Sequence, residues 1–432
     1  MTAMAVIMNK MGIMVLSARL TSYVFAARNL CVITLLKMLR VMMNPKIILL
    51  LAYAFLLFSP AVVSAGSILD DYNNSKVRMV IVPGHDDDLA SGGTQFRGLT
   101  EARLNLQLSE ELVKLFGADE RFEVFITRDV NGPKEPFASY FKDSRDAIIA
   151  FRNASIVFAR ELIKTGRVRN VASSANSSGN EASIKLYGAN KWINENGVRL
   201  ALHVHFNDYA GRTLSRIGKY SGFMIFVPEG QLTNHHVSAP VGRSVWSQLK
   251  KHFPTSDNPT ELGGPIEEQK LIAVGGSSTL NSDVAAILIE YGYIYESAWI
   301  NSDTRPMIIK ELAYQTYVGV KKSLEPAWNE ALGETSTKPF VWNSEMKRNP
   351  KGNQQILALQ IALTKDGLYP PAGFSRNDCP ISGIFGPCTR KGVLAFQARY
   401  KLARSGYVDA AMLKKINQLY GSSLAELSEA SH

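Results

Sequence analysis

Cysteine is scarce in this chain of 432 residues: Cys31, Cys379 and Cys388 are all it has. Cys31 falls in an N-terminal leader, so the chain beyond it has a single conceivable pair. Histidine is also sparse, seven in all, and no His-Glu-x-x-His motif is present, which excludes the helix-borne metal site that motif marks. Acid is missing from residues 1–65, where Lys10, Arg19, Arg28, Lys37, Arg40 and Lys46 supply six cations. Taking those six from the net charge of +10 leaves +4, too little to argue for a nucleic-acid partner. Long apolar runs are lacking too: Ile47 to Phe58 is too short for a comfortable membrane span.

That short run does have the flanks of a secretory signal. Lys46 is the basic start, Ile47 to Phe58 the apolar stretch, and Val63-Ser64-Ala65 the small-residue cleavage site. Residues 1–65 are therefore expected to be a leader, with Met42 or Met43 as the true start and a mature chain beginning near Gly66. Export to the periplasm or the medium follows, with membrane contact only during export. In such an oxidising compartment Cys379 and Cys388, close in sequence, are expected to be bonded. A ring of this size contributes about 2.7 kcal/mol by loop entropy.

From Val77 to Lys322, apolar strand signals near 77–82, 122–127, 198–206, 221–227 and 284–290 alternate with amphipathic helices near 100–116, 143–164, 239–253 and 302–322. The pattern predicts an α/β fold with a single mostly parallel or mixed sheet flanked by helices. In the helix at 100–116, Leu104, Leu108, Leu112 and Leu115 share one face, Glu101 sits in the first turn and Thr100 is the expected N-cap. Residues 165–197 contain Ala172-Ser173-Ser174-Ala175-Asn176-Ser177-Ser178-Gly179-Asn180 and read as a long surface loop. Periodicity is lost between Pro326 and Gly352, as expected of a linker.

Three residues carry metal chemistry in this pattern. His85 follows the strand Met79-Val80-Ile81-Val82-Pro83-Gly84, Glu101 opens a helix after Gly98-Leu99-Thr100, and His205 lies in the strand end Leu202-His203-Val204-His205-Phe206-Asn207. Strand carboxyl ends are where α/β sheets place their ligands. Two imidazoles and one carboxylate form a standard ligand set for hydrolytic zinc, which keeps a fourth position open.

The flanks extend this reading. The strand-Pro-Gly-His segment, Gly98-Leu99-Thr100-Glu101-Ala102-Arg103-Leu104-Asn105-Leu106, Val124-Phe125-Ile126-Thr127-Arg128-Asp129 and Ile287-Leu288-Ile289-Glu290-Tyr291-Gly292-Tyr293 occur in one order. Together they resemble the zinc-dependent N-acetylmuramoyl-L-alanine amidases, the family 3 cell-wall amidases, over roughly residues 76–322. The resemblance implies Zn2+ held by His85, Glu101 and His205, and Glu290 as the catalytic carboxylate. It also implies peptidoglycan as substrate, cut between N-acetylmuramic acid and L-alanine of the stem peptide. Family members usually read Asp-Pro-Gly-His-Gly-Gly, Ser-Ile-His-Ala-Asn and Glu-Gly-Phe. Here Val82 and Asp86-Asp87-Asp88, then His203 and Phe206, then Tyr291-Gly292-Tyr293 depart from those patterns, while the metal positions are kept.

The tail has its own likeness. Leu359-Gln360-Ile361-Ala362-Leu363, Gly367-Leu368-Tyr369-Pro370, Gly383-Ile384-Phe385-Gly386-Pro387-Cys388-Thr389, Val393-Leu394-Ala395-Phe396-Gln397 and Gly406-Tyr407-Val408-Asp409 resemble the three-helix peptidoglycan-binding domain. The organisation expected is thus a leader at 1–65, a catalytic domain at 72–325, a linker at 326–352 and a wall-binding domain at 353–420. Two other readings are open on the sequence. Pro83-Gly84-His85-Asp86-Asp87-Asp88 with Gly92-Gly93 is similar to the zinc signature of amino-sugar deacetylases, in which Asp87 or Asp88 would compete with Glu101 for metal. A non-catalytic peptidoglycan-binding protein is the other.

Overall fold

Both faces of the central strands are apolar, as a sheet covered by helices on two sides requires. In the computed structural model, which describes residues 67–86, 93–172, 180–209, 211–213, 216, 218–300, 302, 304–325, 341–375 and 378–421, these strands form one mixed sheet of six. They are β1 (Val77–Pro83), β2 (Phe122–Ile126), β3 (Leu200–Asn207), β4 (Met224–Pro228), β5 (Ile266–Glu268) and β6 (Ala285–Tyr293), in the spatial order β2-β1-β3-β6-β4-β5. β2, β1, β3 and β6 run parallel, and β4 is antiparallel to β6. The three-residue β5 pairs parallel with β4 and was not expected.

Alternation sorts the side chains. Val77, Met79 and Ile81 of β1 join Leu202 and Val204 of β3 and Ile287 and Ile289 of β6 on one face. Three helices cover that face: α2 (Glu101–Gly117), α6 (His235–Leu249) and α7 (Arg305–Leu324), following the short α1 (Ile68–Asn74) in chain order. Leu104, Leu108 and Leu112 of α2 are fully buried there, and Leu115 is partly so. Val80, Val82, Ala201 and Ala286 point the other way, against Phe137 of α3 (Phe137–Asp143) and Trp192 and Ile193 of α5 (Asn180–Glu195); α4 (Arg145–Lys164) lies between these two helices in sequence.

Helix α5 corrects the expectation of a loop at 165–197. Its Ser- and Asn-rich approach hides an apolar spacing, Ile184, Tyr187, Ala189, Trp192 and Ile193, all buried. Lys185 of this helix pairs with Asp86, directly after His85. A second correction concerns Thr100. It has the extended backbone of an N-cap, φ −105° and ψ 147°, but makes no side-chain cap bond.

The C-terminal region is helical: α8 (Gln354–Lys365), α9 (Pro387–Arg399) and α10 (Ala410–Tyr420) enclose Ile356, Leu359, Val393, Phe396, Met412 and Ile416. Asn353 and Asp409 cap α8 and α10, accepting from Ile356 N at 2.9 Å and Met412 N at 3.0 Å. The sulfurs of Cys379 and Cys388 are 2.04 Å apart. Residues 341–352, expected as the end of the linker, are strung along this module. Trp342 is buried and its indole N–H donates to Gln355 O at 2.9 Å, while Met346 pairs with Val408 and Asn349 with Phe385. Residues 1–65, expected as a leader and containing Cys31, and residues 326–340 of the expected linker lie outside the described residues. Among those described, no helix is long and apolar enough to cross a membrane.

Candidate metal centre

Parallel strands bring their carboxyl ends to one edge, and the three expected ligands meet there. His85 follows β1, His205 is in the last turn of β3's pleat, and Glu101 begins α2. Their ligand atoms all lie within 4.8 Å of one another. Glu101 Oε1 stands 3.2 Å from His85 Nε2 and 3.1 Å from His205 Nδ1. Ligand atoms about 2.0–2.1 Å from a tetrahedral zinc are about 3.3–3.4 Å apart, so this donor set fits the ion in both chemistry and spacing.

Close backbone approach makes the spacing possible. A Cβ on Gly84 would lie 2.2–2.6 Å from the His205 ring atoms. Gly93 has φ +72°, and a Cβ there would lie 2.4 Å from Glu101 Oε2 and 2.8 Å from His85. Glycine is thus required at both points. His85 itself adopts a left-handed φ of 57°, which turns its ring from the strand direction into the cluster.

Glu101 is buried and heavily bonded. Thr94 N donates to its Oε2 at 3.2 Å, and Asn105 Nδ2, one helical turn on, donates at 2.9 Å to Gly84 O and at 3.4 Å to Glu101 Oε1. Burial opposes ionisation of this carboxyl, but the bonds to His205 and His85, and the charge those rings carry when protonated, prevail and hold it below the usual carboxylate range. Burial lowers the His205 pKa against the opposing pull of Glu101, which favours the neutral imidazole that ligates metal.

Glu290 arrives from the neighbouring strand. It is the register partner of His205 in the β6–β3 pairing, and the register shifts just beyond it, between Glu290 and Tyr293. Bulges of this sort re-aim side chains beside active sites. Its Oε2 is sealed from solvent with no hydrogen-bond partner among the described residues. Desolvation, reinforced by the charges of Glu101 and Glu261, pushes its pKa well above the normal glutamate value.

Sequence reasoning missed the groups that brace this cluster. Arg128, buried, donates from Nη2 to Gly84 O at 3.0 Å and Ala102 O at 2.9 Å, tying the His85 loop to the start of α2. Both Arg128 and Asn105 fall inside the segments that carried the resemblance, but their backbone partners are set only by the fold. Glu261, held by Ser256, Tyr293, Asn207 and Asn258, was also missed; it comes from an irregular loop with no spacing to mark it. His203 lies on the same side of β3 as His205 but one step deeper, opposite Val82 and Leu288. Burial pushes its pKa down to about 3, so it stays a neutral core side chain. Asp87 and Asp88, the rival metal residues, lie outside the described residues.

An α/β domain with a candidate metal centre at the carboxyl edge of its sheet is a recognisable class. The chain belongs, within that class, to the N-acetylmuramoyl-L-alanine amidase family, whose sequence profile matches residues 79–322. A peptidoglycan binding domain profile matches residues 352–416. No curated protein matches the chain. Solved structures similar to it include the CwlD amidase of Clostridioides difficile in complex with the GerS lipoprotein, at 14% identity over 58% of this chain and 100% of that one, with a TM-score of 0.36. The catalytic domain of CwlV from Paenibacillus polymyxa is 12% identical over 58% of this chain and 98% of that one, with a TM-score of 0.35. An N-acetylmuramyl-L-alanine amidase of Mycobacterium smegmatis is 12% identical over 58% and 97%, with a TM-score of 0.36.

Proposed function

We propose that the chain hydrolyses the amide between the lactyl group of N-acetylmuramic acid and L-alanine in peptidoglycan, using zinc held by His85, Glu101 and His205. The observation that carries this is the convergence of the two imidazoles on Glu101 Oε1 at 3.2 and 3.1 Å, with Glu290 Oε2, which has no hydrogen-bond partner among the described residues, one strand away. Zinc bound there supplies Lewis acidity and makes water a usable nucleophile near neutral pH.

The protein's own residues do the rest. Glu290, desolvated and with a raised pKa, takes the proton of the attacking water and delivers it to the departing alanine nitrogen. Asn105 and Arg128 hold the His85 loop against α2, so that the donors are set before substrate arrives. We assign catalysis to residues 72–325 and wall binding to 353–420, joined by 326–352. The leader at 1–65 sends the protein out of the cytoplasm, to the periplasm or the medium, and amino-terminal sequencing of exported protein should read from near Gly66.

The deacetylase reading is disfavoured because the carboxylate that meets both imidazoles is Glu101. Mass spectrometry of fragments from purified sacculi, alongside zinc analysis, tests the proposal. Free stem peptides beginning with L-alanine are expected; peptides left attached to de-acetylated sugars would overturn it.

A further inference from the structure

A short hairpin delivers Glu101 to the donor cluster. Its strands are Gln95–Phe96 and Leu99–Thr100, with Gln95 opposite Thr100 and Phe96 opposite Leu99. Arg97 and Gly98 turn it at φ values of 48° and 80°, the pair of positive angles that a two-residue hairpin turn favours. Thr94, at the foot of this hairpin, holds Glu101 twice. Its carbonyl oxygen accepts from Glu101 N at 2.9 Å, and its own N–H donates to Glu101 Oε2 at 3.2 Å. A shift of Thr94 therefore moves both the backbone and the carboxylate of the donor.

Thr94 is gripped in turn by its hydroxyl. Its Oγ1 donates to Asp208 Oδ2 and accepts from Arg212 Nη2 at 2.8 Å. Arg212 Nη2 also reaches Gln95 O at 2.8 Å, and the guanidinium closes on the Asp208 carboxylate from Nε at 2.5 Å and Nη2 at 2.9 Å. Asp208 directly follows the end of β3, the strand that carries His205. One guanidinium thus joins the strand of one donor to the hairpin of another. The Arg212 side chain is only 5% exposed, and its Cζ lies 5.2 Å from the centre of the Phe96 ring and 5.7 Å from that of Tyr295, both buried. A planar fork that bonds several acceptors while lying against rings is what arginine offers and lysine does not.

We infer that Arg212 is a positioning residue of the metal centre: through Asp208 and Thr94 it fixes Glu101 relative to His205, and so sets how tightly the site holds its ion. This rests on the zinc-ligand reading above. The N–H of Thr94 engages Glu101 Oε2, which leaves Oε1 toward both imidazoles. Gly93, required by the crowding round Glu101, gives the chain entering Thr94 a freedom that no side chain of its own restrains. Arg212 supplies that restraint from outside the segment. It acts through Thr94 and Asp208, and its effect belongs to the geometry of the donors before substrate arrives.

The test measures the zinc affinity of the full chain, by competition with a chromophoric chelator, for Arg212→Met, Thr94→Val and the double variant. Arg212→Met keeps an unbranched side chain beside Phe96 and Tyr295 but has no donors, and affinity should fall about 10–100-fold, the range for loss of groups that orient ligands. Thr94→Val keeps the shape and both backbone bonds to Glu101, and should weaken binding in the same direction. Because the two side chains act through one link, the double variant should bind no more weakly than Arg212→Met alone. With Co2+ as the probe ion, the visible absorption of Arg212→Met should differ from that of the parent, which a loss of packing alone would not produce. Thermal melting of the metal-free chains checks that each is folded. Arg97→Met removes another cation from the Phe96 ring, 5.1 Å from its centre, and should leave zinc affinity unchanged. Unaltered affinity in Arg212→Met, an equal loss in Arg97→Met, or a double variant whose loss is the product of the two singles overturns the inference. Glu101→Ala separates the two readings: if it retains zinc the ligand set itself is wrong, and if it loses zinc while Arg212→Met does not, only the role of Arg212 fails.

Discussion

The two ends of this molecule solve recognition in opposite ways. The catalytic region is electrically balanced and builds its donor set around a buried carboxylate: Glu101 is 5% exposed, and two glycines are fitted against the donors so closely that one methyl group would displace them. The C-terminal module is strongly cationic and carries its chemistry outside, on rings and charges that water reaches. The difference sets how each region responds to change. A donor set centred on a buried carboxylate fails abruptly, because a displaced Glu101 has no solvent to replace its partners. A solvated, charged surface fails gradually and in proportion to salt.

Substitutions can break this contrast. The largest effect is expected at Glu290→Gln, which keeps the shape but removes the proposed proton carrier. Stem-peptide release should fall by a factor on the order of 100 to 10,000 while zinc content is unchanged. Gly84→Ala comes next. Its methyl would press on the His205 ring, and metal titration should show zinc affinity weakened about 10–100-fold, the range for disturbed support of a ligand.

Removing the disulfide sharpens the other side of the comparison. Cys379→Ser with Cys388→Ser should destabilise the module by about 2.7 kcal/mol, read by calorimetry of the full chain, with stem-peptide release from small soluble muropeptides retained. The smallest effect lies in acid stability. Burial alone would raise the Asp119 pKa, but Lys321, Arg121 N and Tyr317 hold it below the usual value. A depressed carboxylate stabilises the fold fully above its unfolded pKa of about 3.9 and loses that contribution as pH falls through its folded value. Asp119→Asn should flatten that acid limb of the unfolding curve and leave the neutral region little changed in shape.

What the sequence disclosed follows the same division. Strands β1, β3 and β6 and helix α2 are readable because each buries a whole face, and that forces a continuous or periodic apolar pattern. The residues His85, Glu101, His205 and Glu290 stand out because strand ends and a helix start are where such a sheet presents them. Helix α5 was hidden because its apolar positions follow a polar, small-residue approach, and Trp342 because it packs from a segment without periodicity. Arg128 and Asn105 do their work through backbone carbonyls, which no side-chain pattern records. The missing cap bond at Thr100 has a similar cause, since the local sequence shows the residue type and not where its hydroxyl finds a partner.

Metal analysis of Glu101→Ala, run beside a stem-peptide release assay, tests the central claim most directly. With one of three donors gone, zinc and hydrolysis should be lost together, while Glu290→Gln in the same assay keeps zinc and loses only hydrolysis. Full zinc retention by Glu101→Ala, with zinc lost instead from Asp87→Ala or Asp88→Ala, would contradict the assigned ligand set and put the deacetylase chemistry in its place.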